Sequence, residues 1–302
     1  MVAHYTALSD AWSSARSTDC AISVATKARL AKLTRPGSAA TYTRVRLFEE
    51  LDKVGSAPVV WLAGPPGSGK TTLVADYTTT RRLESIWYQV DRGDSDIASF
   101  FFYLGQAAQK PGAEPLPMFE SAYLGNVEAF ARNYFRDLYA RSESPCLVFD
   151  NCQDASSAGT LYSVLRIAID ELPEGGRLFI MSRLSPPPGF ARLRARGRLH
   201  VIGWSELRLT LEEAAGVAAV RNPAMSAAEV EQLHTRTNGW AAGFILLLQN
   251  RDARSSAVGE FNTDAPSVIF DYLAEEVLQR FKPAAQEALL RVAYLPQITE
   301  AM

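Results

Sequence analysis

Residues 59–73 read Val59-Val-Trp-Leu-Ala-Gly-Pro-Pro-Gly-Ser-Gly-Lys-Thr-Thr-Leu73. A five-residue apolar run enters Gly64-Pro-Pro-Gly-Ser-Gly-Lys-Thr71, a full match to G-x-x-x-x-G-K-[ST], and helix-forming residues follow. Only glycine lets a backbone curl tightly enough to aim several amides at one anion. In such a loop Gly64, Pro66, Gly67, Ser68, Gly69 and Thr72 surround a polyphosphate, Lys70 reaches its β- and γ-phosphates, and the Thr71 hydroxyl ligates Mg²⁺. A helix starting near Gly69 turns its positive end to the same phosphates. By composition the fixed positions recur by accident in about 1% of chains this long. The flanking strand and helix patterns lower that figure further.

Outward from this loop, short apolar runs alternate with helical patterns, which predicts a parallel sheet with crossover helices. Strands are expected at 59–63, 85–90, 146–150, 177–182 and 198–202, and helices at 43–53, 69–80, 95–110, 126–141 and 156–171. Near-continuous apolarity in the strands fits a sheet covered on both faces. Cys146-Leu-Val-Phe-Asp150 is an apolar strand that delivers a carboxylate to its carboxyl end, where Asp150 can hold the water shell of a magnesium ion. The run Leu178-Phe-Ile-Met-Ser-Arg183 ends at the same sheet edge. Ligands of such sheets sit outside the carboxyl ends of the strands, so Arg183 either faces the γ-phosphate or is a solvated or salt-bridged arginine, and spacing does not choose.

Beyond about residue 205 the pattern is helical only. Thr210-Leu-Glu-Glu213 and Ser226-Ala-Ala-Glu229 are capping-box signatures, and further helices are expected after Gly239 and over 267–281 and 284–294. The expected organisation is a disordered leader at 1–30, an α/β domain at 31–205, a helical domain at 206–262, and a further segment at 263–302 that stops soon after an apolar helix, as the front of something longer would.

The 302 residues are 47% hydrophobic, with 31 Lys and Arg against 33 Asp and Glu, so no global basic field draws the chain to nucleic acid or anionic lipid. The longest apolar runs fall far short of the roughly 20 residues that span a bilayer. Three cysteines without paired spacing argue against a disulfide framework and for a reducing cytosol, and Cys146 reads as buried packing. Arg192, Arg194, Arg196 and Arg198 read as a solvated loop face. Trp87-Tyr88 and Phe100–Tyr103 read as core. His4, His200 and His234 form no ligand pattern.

With these motifs in place, the chain resembles the ATPase core of the maltose-regulator type of transcription activator, large ATP-binding regulators with a LuxR-type DNA-binding end, within the STAND class of NTPases. The resemblance covers roughly 33–300. It is carried by Leu33-Thr-Arg-Pro36, Tyr42-Thr-Arg-Val-Arg-Leu47, Trp87-Tyr-Gln-Val-Asp-Arg-Gly-Asp94, Leu193–Leu199 with Leu207–Glu213, Thr237-Asn-Gly-Trp-Ala-Ala-Gly243 and Asp271-Tyr-Leu-Ala-Glu-Glu-Val277. It implies a P-loop NTPase three-layer sandwich, an all-α helical domain, and the start of a winged-helix domain over 263–302. It also implies a cytoplasmic nucleotide switch: a resting ADP form becomes a self-associating ATP form when an inducer binds a region outside this chain, and hydrolysis resets it. Lys70, Asp150 and Arg183 take the catalytic roles, Thr71 and Asp150 the metal. Arg44 and Gly239–Ala241 would lie near the base, sugar or phosphates. Direct DNA contact by this segment is not implied.

Two positions depart from that pattern. The family's metal-side strand usually ends in two acids, and here the second is Asn151; its helical motif often has Pro where this chain has Ala241. Asn can position a water but cannot take its proton, so hydrolysis is expected to be slow. The competing readings are an AAA+-type ATPase, which wants that second acid, and a nucleotide-binding scaffold that never hydrolyses. A small-molecule kinase lacks an evident acceptor-site carboxylate or lid.

Overall fold

The computed structural model describes residues 30–37, 41–54, 57–154, 159–255 and 285–288, and the described residues from Ala31 on belong to one compact unit. The leader expected at 1–30 and the winged-helix start at 263–302 fall outside the described residues, save Leu30 and the helical residues 285–288.

Strands β1 (Val59–Ala63), β2 (Ser85–Gln89), β3 (Cys146–Asp150), β4 (Arg177–Ser182) and β5 (Leu199–Ile202) form one sheet in the order β2-β3-β4-β1-β5, with every pairing parallel. The register sets Ala63 beside Ser182 and Gln89 beside Asp150, so the carboxyl ends of the strands share one edge.

Strand periodicity divides β1 between two cores. Val59, Trp61 and Ala63 face the layer of α3 (Ile97–Ala108), α4 (Val127–Tyr139) and α5 (Thr160–Asp170); Val60 and Leu62 face α1 (Val45–Lys53) and α2 (Lys70–Thr80). This is the expected sandwich. Trp87, Tyr88, Phe100 and Phe101 are core, as expected, while Phe102 is exposed. Cys146 and Cys152 are buried in it, and burial pushes the Cys146 thiol up to about 12. The arginine run differs from the loop expected there. Its first part is the short helix α6 (Ala191–Ala195), because Leu193 on its inner side is buried, while Arg192, Arg194 and Arg196 stay exposed. Arg198 instead donates to the Ile169 carbonyl.

A short helix α7 (Trp204–Leu207) leaves the sheet, and Leu207 is still part of the α1–α2 core. Then α8 (Leu211–Arg221), α9 (Ala227–Thr237) and α10 (Ala241–Ser255) build a third core around Leu209, Ala214, Val230, Leu233 and Phe244. Both predicted capping boxes form: Thr210 exchanges bonds with Glu213, and Ser226 with Glu229. Between α9 and α10, Gly239 adopts φ +72°, and a Cβ there would stand 2.6 Å from the Leu209 carbonyl oxygen. Its own carbonyl accepts from the Leu209 amide, so the turn closes backbone to backbone.

Arg44, at the start of α1, fastens this helical layer to the sheet. Its guanidinium donates to the Leu207 and Arg208 carbonyls at 2.9 Å each and to Glu213 Oε2 at 2.8 Å, with both side chains under 10% exposed. Burial would raise the Glu213 carboxyl, but Arg44, the Thr210 amide and Arg46 outweigh it and hold the group below the usual range. A depressed carboxylate adds stability above about pH 4.3 that is lost as pH falls through its folded value. Removing one partner of a buried pair strands the other, so Arg44→Met is expected to destabilise the chain by about 3–5 kcal/mol at neutral pH in urea unfolding. Adding Glu213→Gln, which keeps the cap to Thr210, is expected to recover more than half of that loss. No recovery would mean that Arg44 acts through packing alone.

Candidate phosphate-binding site

The loop after β1 is shaped by two left-handed glycines, Gly67 at φ 68° and Gly69 at φ 84°, the latter sitting at the N-cap of α2. A curl this tight turns its carbonyls away from the cradle, and each needs a donor. Lys70 Nζ supplies Gly64 O at 2.7 Å and Pro65 O at 3.0 Å, and also reaches Ser68 Oγ at 3.2 Å. The helical layer supplies the next two. Trp240 Nε1 donates to Pro66 O, and the Ala242 amide to Gly67 O, both at 2.9 Å. Ala242 lies in the first turn of α10, where amides have no partner within the helix, so the loop caps the helix while the helix holds the loop.

Thr71 Oγ1 donates to Asp150 Oδ2 at 2.9 Å, joining the first turn of α2 to the end of β3 across the intervening strand β4. Burial pushes the Asp150 carboxyl above the usual range, opposed by the Thr71 hydroxyl, the Asn151 amide and Lys70. A hydroxyl and a buried carboxylate in contact are hard oxygen donors of the kind Mg²⁺ accepts alongside waters and phosphate oxygens, and Mg²⁺ there would neutralise phosphate charge. Burial also lowers Lys70 to about 8, with Asp150 opposing and Arg183 assisting. An ammonium this poorly solvated is primed to accept a polyanion.

Beside the loop lies a cavity of about 390 Å³ between the sheet edge and the helical layer. Of the residues picked out from sequence, Arg44, Pro66, Gly67, Ser68, Gly69, Lys70, Thr71, Thr72, Arg183 and Ala241 line it. Gly64 instead serves the loop, its carbonyl taken by Lys70 and its amide bonded to the Ser182 carbonyl. Asp150 is buried behind Thr71. Arg44 lines the cavity too, while its two terminal nitrogens bond α7, the turn beyond it and Glu213. Gly239 is bonded to His234 and Leu209 and packs against Arg208.

Sequence reasoning missed the far wall: Tyr42, Leu209, Val217, Val220, Arg221 and Ile245. Tyr42 stands against α8, where a Cβ on Gly216 would meet its ring at 2.1 Å. An apolar slot beside a phosphate cradle suits a flat heterocycle. The one available signal was the glycine amid the alanines of α8, and it acquires meaning only once Tyr42 is opposite.

No protein-family model matches the chain. Among solved structures it is similar to a STAND protein with a tetratricopeptide repeat sensor from Pyrococcus horikoshii, at 17% identity and TM-score 0.49, over 90% of this chain and 37% of that one. The chain therefore spans little more than a third of that protein's length. It is also similar to a Walker-type ATPase of Pyrococcus abyssi, at 13% identity and TM-score 0.52, over 86% of each chain. At 13% identity this second likeness is one of fold, and that fold is the P-loop NTPase-like α/β architecture.

Proposed function

We propose that the chain is the ATP/ADP-binding switch module of a LuxR-type transcription regulator, in which slow hydrolysis resets an ATP-driven self-association. The observation that carries the switch reading is the direct bonding of the helical layer to the phosphate loop, through Trp240 to Pro66 and Ala242 to Gly67. Anything that reshapes the loop by binding it also acts on the seat of α10, which is how a ligand's phosphates would move a domain. The sequence resemblance supports the regulator context, an inducer acting on a region outside this chain, and a cytoplasmic setting. No helix among the described residues is long and apolar enough to cross a membrane.

In this reading Lys70 leaves the Gly64 and Pro65 carbonyls for the phosphates. Thr71 and Asp150 hold Mg²⁺, the loop amides take phosphate oxygens, and Arg183 stands at the sheet edge as a further cation. The Tyr42–Val217 side takes the base. A second reading, a scaffold that binds nucleotide without hydrolysing it, is favoured by Asn151 in the place of an acid.

Denaturing the purified chain and identifying what it releases tests the proposal. Stoichiometric ADP, lost in Lys70→Ala, is the expected result. ATP that persists for hours favours the scaffold, and no nucleotide, with none taken up from Mg-ATP, refutes both. The Lys70 titration gives a second check. Because the phosphates bind the protonated amine, Mg-ATP affinity is expected to fall as pH rises above about 8, by up to tenfold per pH unit. Lys70→Arg, whose charge persists, is expected to lack that limb at a lower overall affinity. Finally, Trp240→Phe removes one loop-holding bond of about 0.5–1.5 kcal/mol, so nucleotide affinity measured by calorimetry is expected to fall about 2- to 10-fold. Unchanged affinity would detach the helical layer from the switch.

A further inference from the structure

Where β3 ends the chain carries an amide in the place of a second acid, and the way that amide is held decides what it can do. Asn151 sits at φ 59°, in the left-handed region that Asn tolerates better than most residues. Its backbone amide donates to Asp150 Oδ1 at 2.8 Å, and the residue lines the cavity. Two residues on, Gln153 bridges to the next strand end. Gln153 Oε1 accepts from the backbone amide of Arg183 at 3.1 Å, and Gln153 Nε2 donates to Asn151 Oδ1 at 3.4 Å.

The direction of this relay is not free. A backbone N–H only donates, so the end of Gln153 that faces Arg183 must be its oxygen. The other end is then an NH₂ group, which also only donates, and the atom of Asn151 that faces it must be oxygen. One main-chain donor on Arg183 thereby orients two side-chain amides. The Asn151 acceptor is turned to Gln153, and its NH₂ remains for the cavity.

Hydrolysis of a nucleoside triphosphate needs the opposite. Water oxygen bonds to the γ-phosphorus while the bond from that phosphorus to the β–γ bridging oxygen breaks, its electron pair leaving with the diphosphate, and the water's proton must pass to an acceptor. An N–H beside the Thr71–Asp150 end of the cavity takes no proton, but it does bond a phosphate oxygen. Asp154 shares the 3₁₀ turn Cys152–Asp154 with Gln153, and the described cavity lining includes Asn151 and Arg183 but not Asp154. Asp76, an acid that does line the cavity, lies six residues past Lys70 on α2, about 9 Å further along the helix axis.

We infer that Asn151, oriented by Gln153, donates to the γ-phosphate and so prolongs the triphosphate-bound state that slow hydrolysis ends. Gln153 is the positioning residue and Asn151 the ligand-binding one. This rests on the nucleotide-binding reading above and specifies how that site treats its third phosphate.

The test uses the whole 302-residue chain. Dissociation constants for Mg-ATP and Mg-ADP are measured by competition against a fluorescent ADP, together with single-turnover hydrolysis. In Asn151→Asp the donor becomes a carboxylate, so the preference for ATP over ADP is expected to fall about tenfold. Hydrolysis is expected to rise about 100-fold or more, with a rate that drops as acid protonates the new group. In Gln153→Glu one oxygen still accepts from Arg183 while the other faces Asn151, which must turn its NH₂ inward and its oxygen to the cavity. The ATP preference is then expected to fall here too, although Asn151 itself is untouched. If Gln153→Glu weakens both nucleotides alike and leaves their ratio unchanged, its role is merely structural and the relay is overturned. An Asn151→Asp chain with unchanged ratio and rate overturns the assignment of Asn151. Failure of the unaltered chain to bind either nucleotide removes the nucleotide-binding reading beneath it as well.

Discussion

The carbonyls of the loop between β1 and α2 impose the constraint on which the rest of the site depends. A chain that gathers its amides around an anion must turn its carbonyls the other way, and a carbonyl deprived of water needs a donor. Here the donors for residues 64–67 come from two parts of the molecule. Lys70 bonds Gly64 and Pro65 from within the loop, and α10 bonds Pro66 and Gly67 through Trp240 and Ala242. The shape of the cradle is therefore a joint property of the sheet and the helical layer. Lys70 is held by the loop's own carbonyls, and burial lowers its ammonium to about 8.

The helical layer could not serve this purpose if it were free to drift. Arg44 prevents that by binding two backbone carbonyls and Glu213 at once, in a setting dry enough to make each bond count. Glu213 is in turn the acid of the box that starts α8, so one carboxylate both begins a helix and anchors it. Gly239 completes the geometry from the other side. Only a residue without Cβ lets the α9–α10 turn approach Leu209 closely enough to aim the first turn of α10 at the loop. Anchor, turn and cap form one chain of contacts running from α1 to the phosphate cradle.

At the opposite wall, the ends of β3 and β4 are stitched by side chains rather than by further ladder bonds. Asp150 takes Thr71, Gln153 takes the Arg183 amide, and Asn151 takes Gln153. The acids and amides at this wall are thus oriented by their neighbours, and such preorganisation reduces the reorganisation cost of binding in the proposed reading. It also separates two tasks, since a site can hold a polyphosphate firmly while offering poor chemistry for cutting it.

Local pattern determined much of this protein. Five apolar runs foretold five strands, because strands buried on both faces have little alternative to continuous apolarity. The glycines, Lys70 and Thr71 foretold the cradle, because its curl and its chemistry lie within eight consecutive residues. Asp150 and Arg183 were legible as strand ends, since a parallel sheet collects all its carboxyl ends at one edge. Tertiary structure alone decided what distant residues do to one another. Arg44, expected beside the nucleotide, lines the cavity and also fastens the helical layer through its two terminal nitrogens. Gly239, expected in the same place, serves a close backbone approach. Tyr42 and Val217, neither singled out in sequence as a site residue, line the cavity together. The direction of the Asn151 amide depends on a backbone N–H thirty-two residues later, just past the end of another strand. Hydrogen-bond direction and close approach are properties of pairs, and the members of these pairs meet only after the sheet has closed.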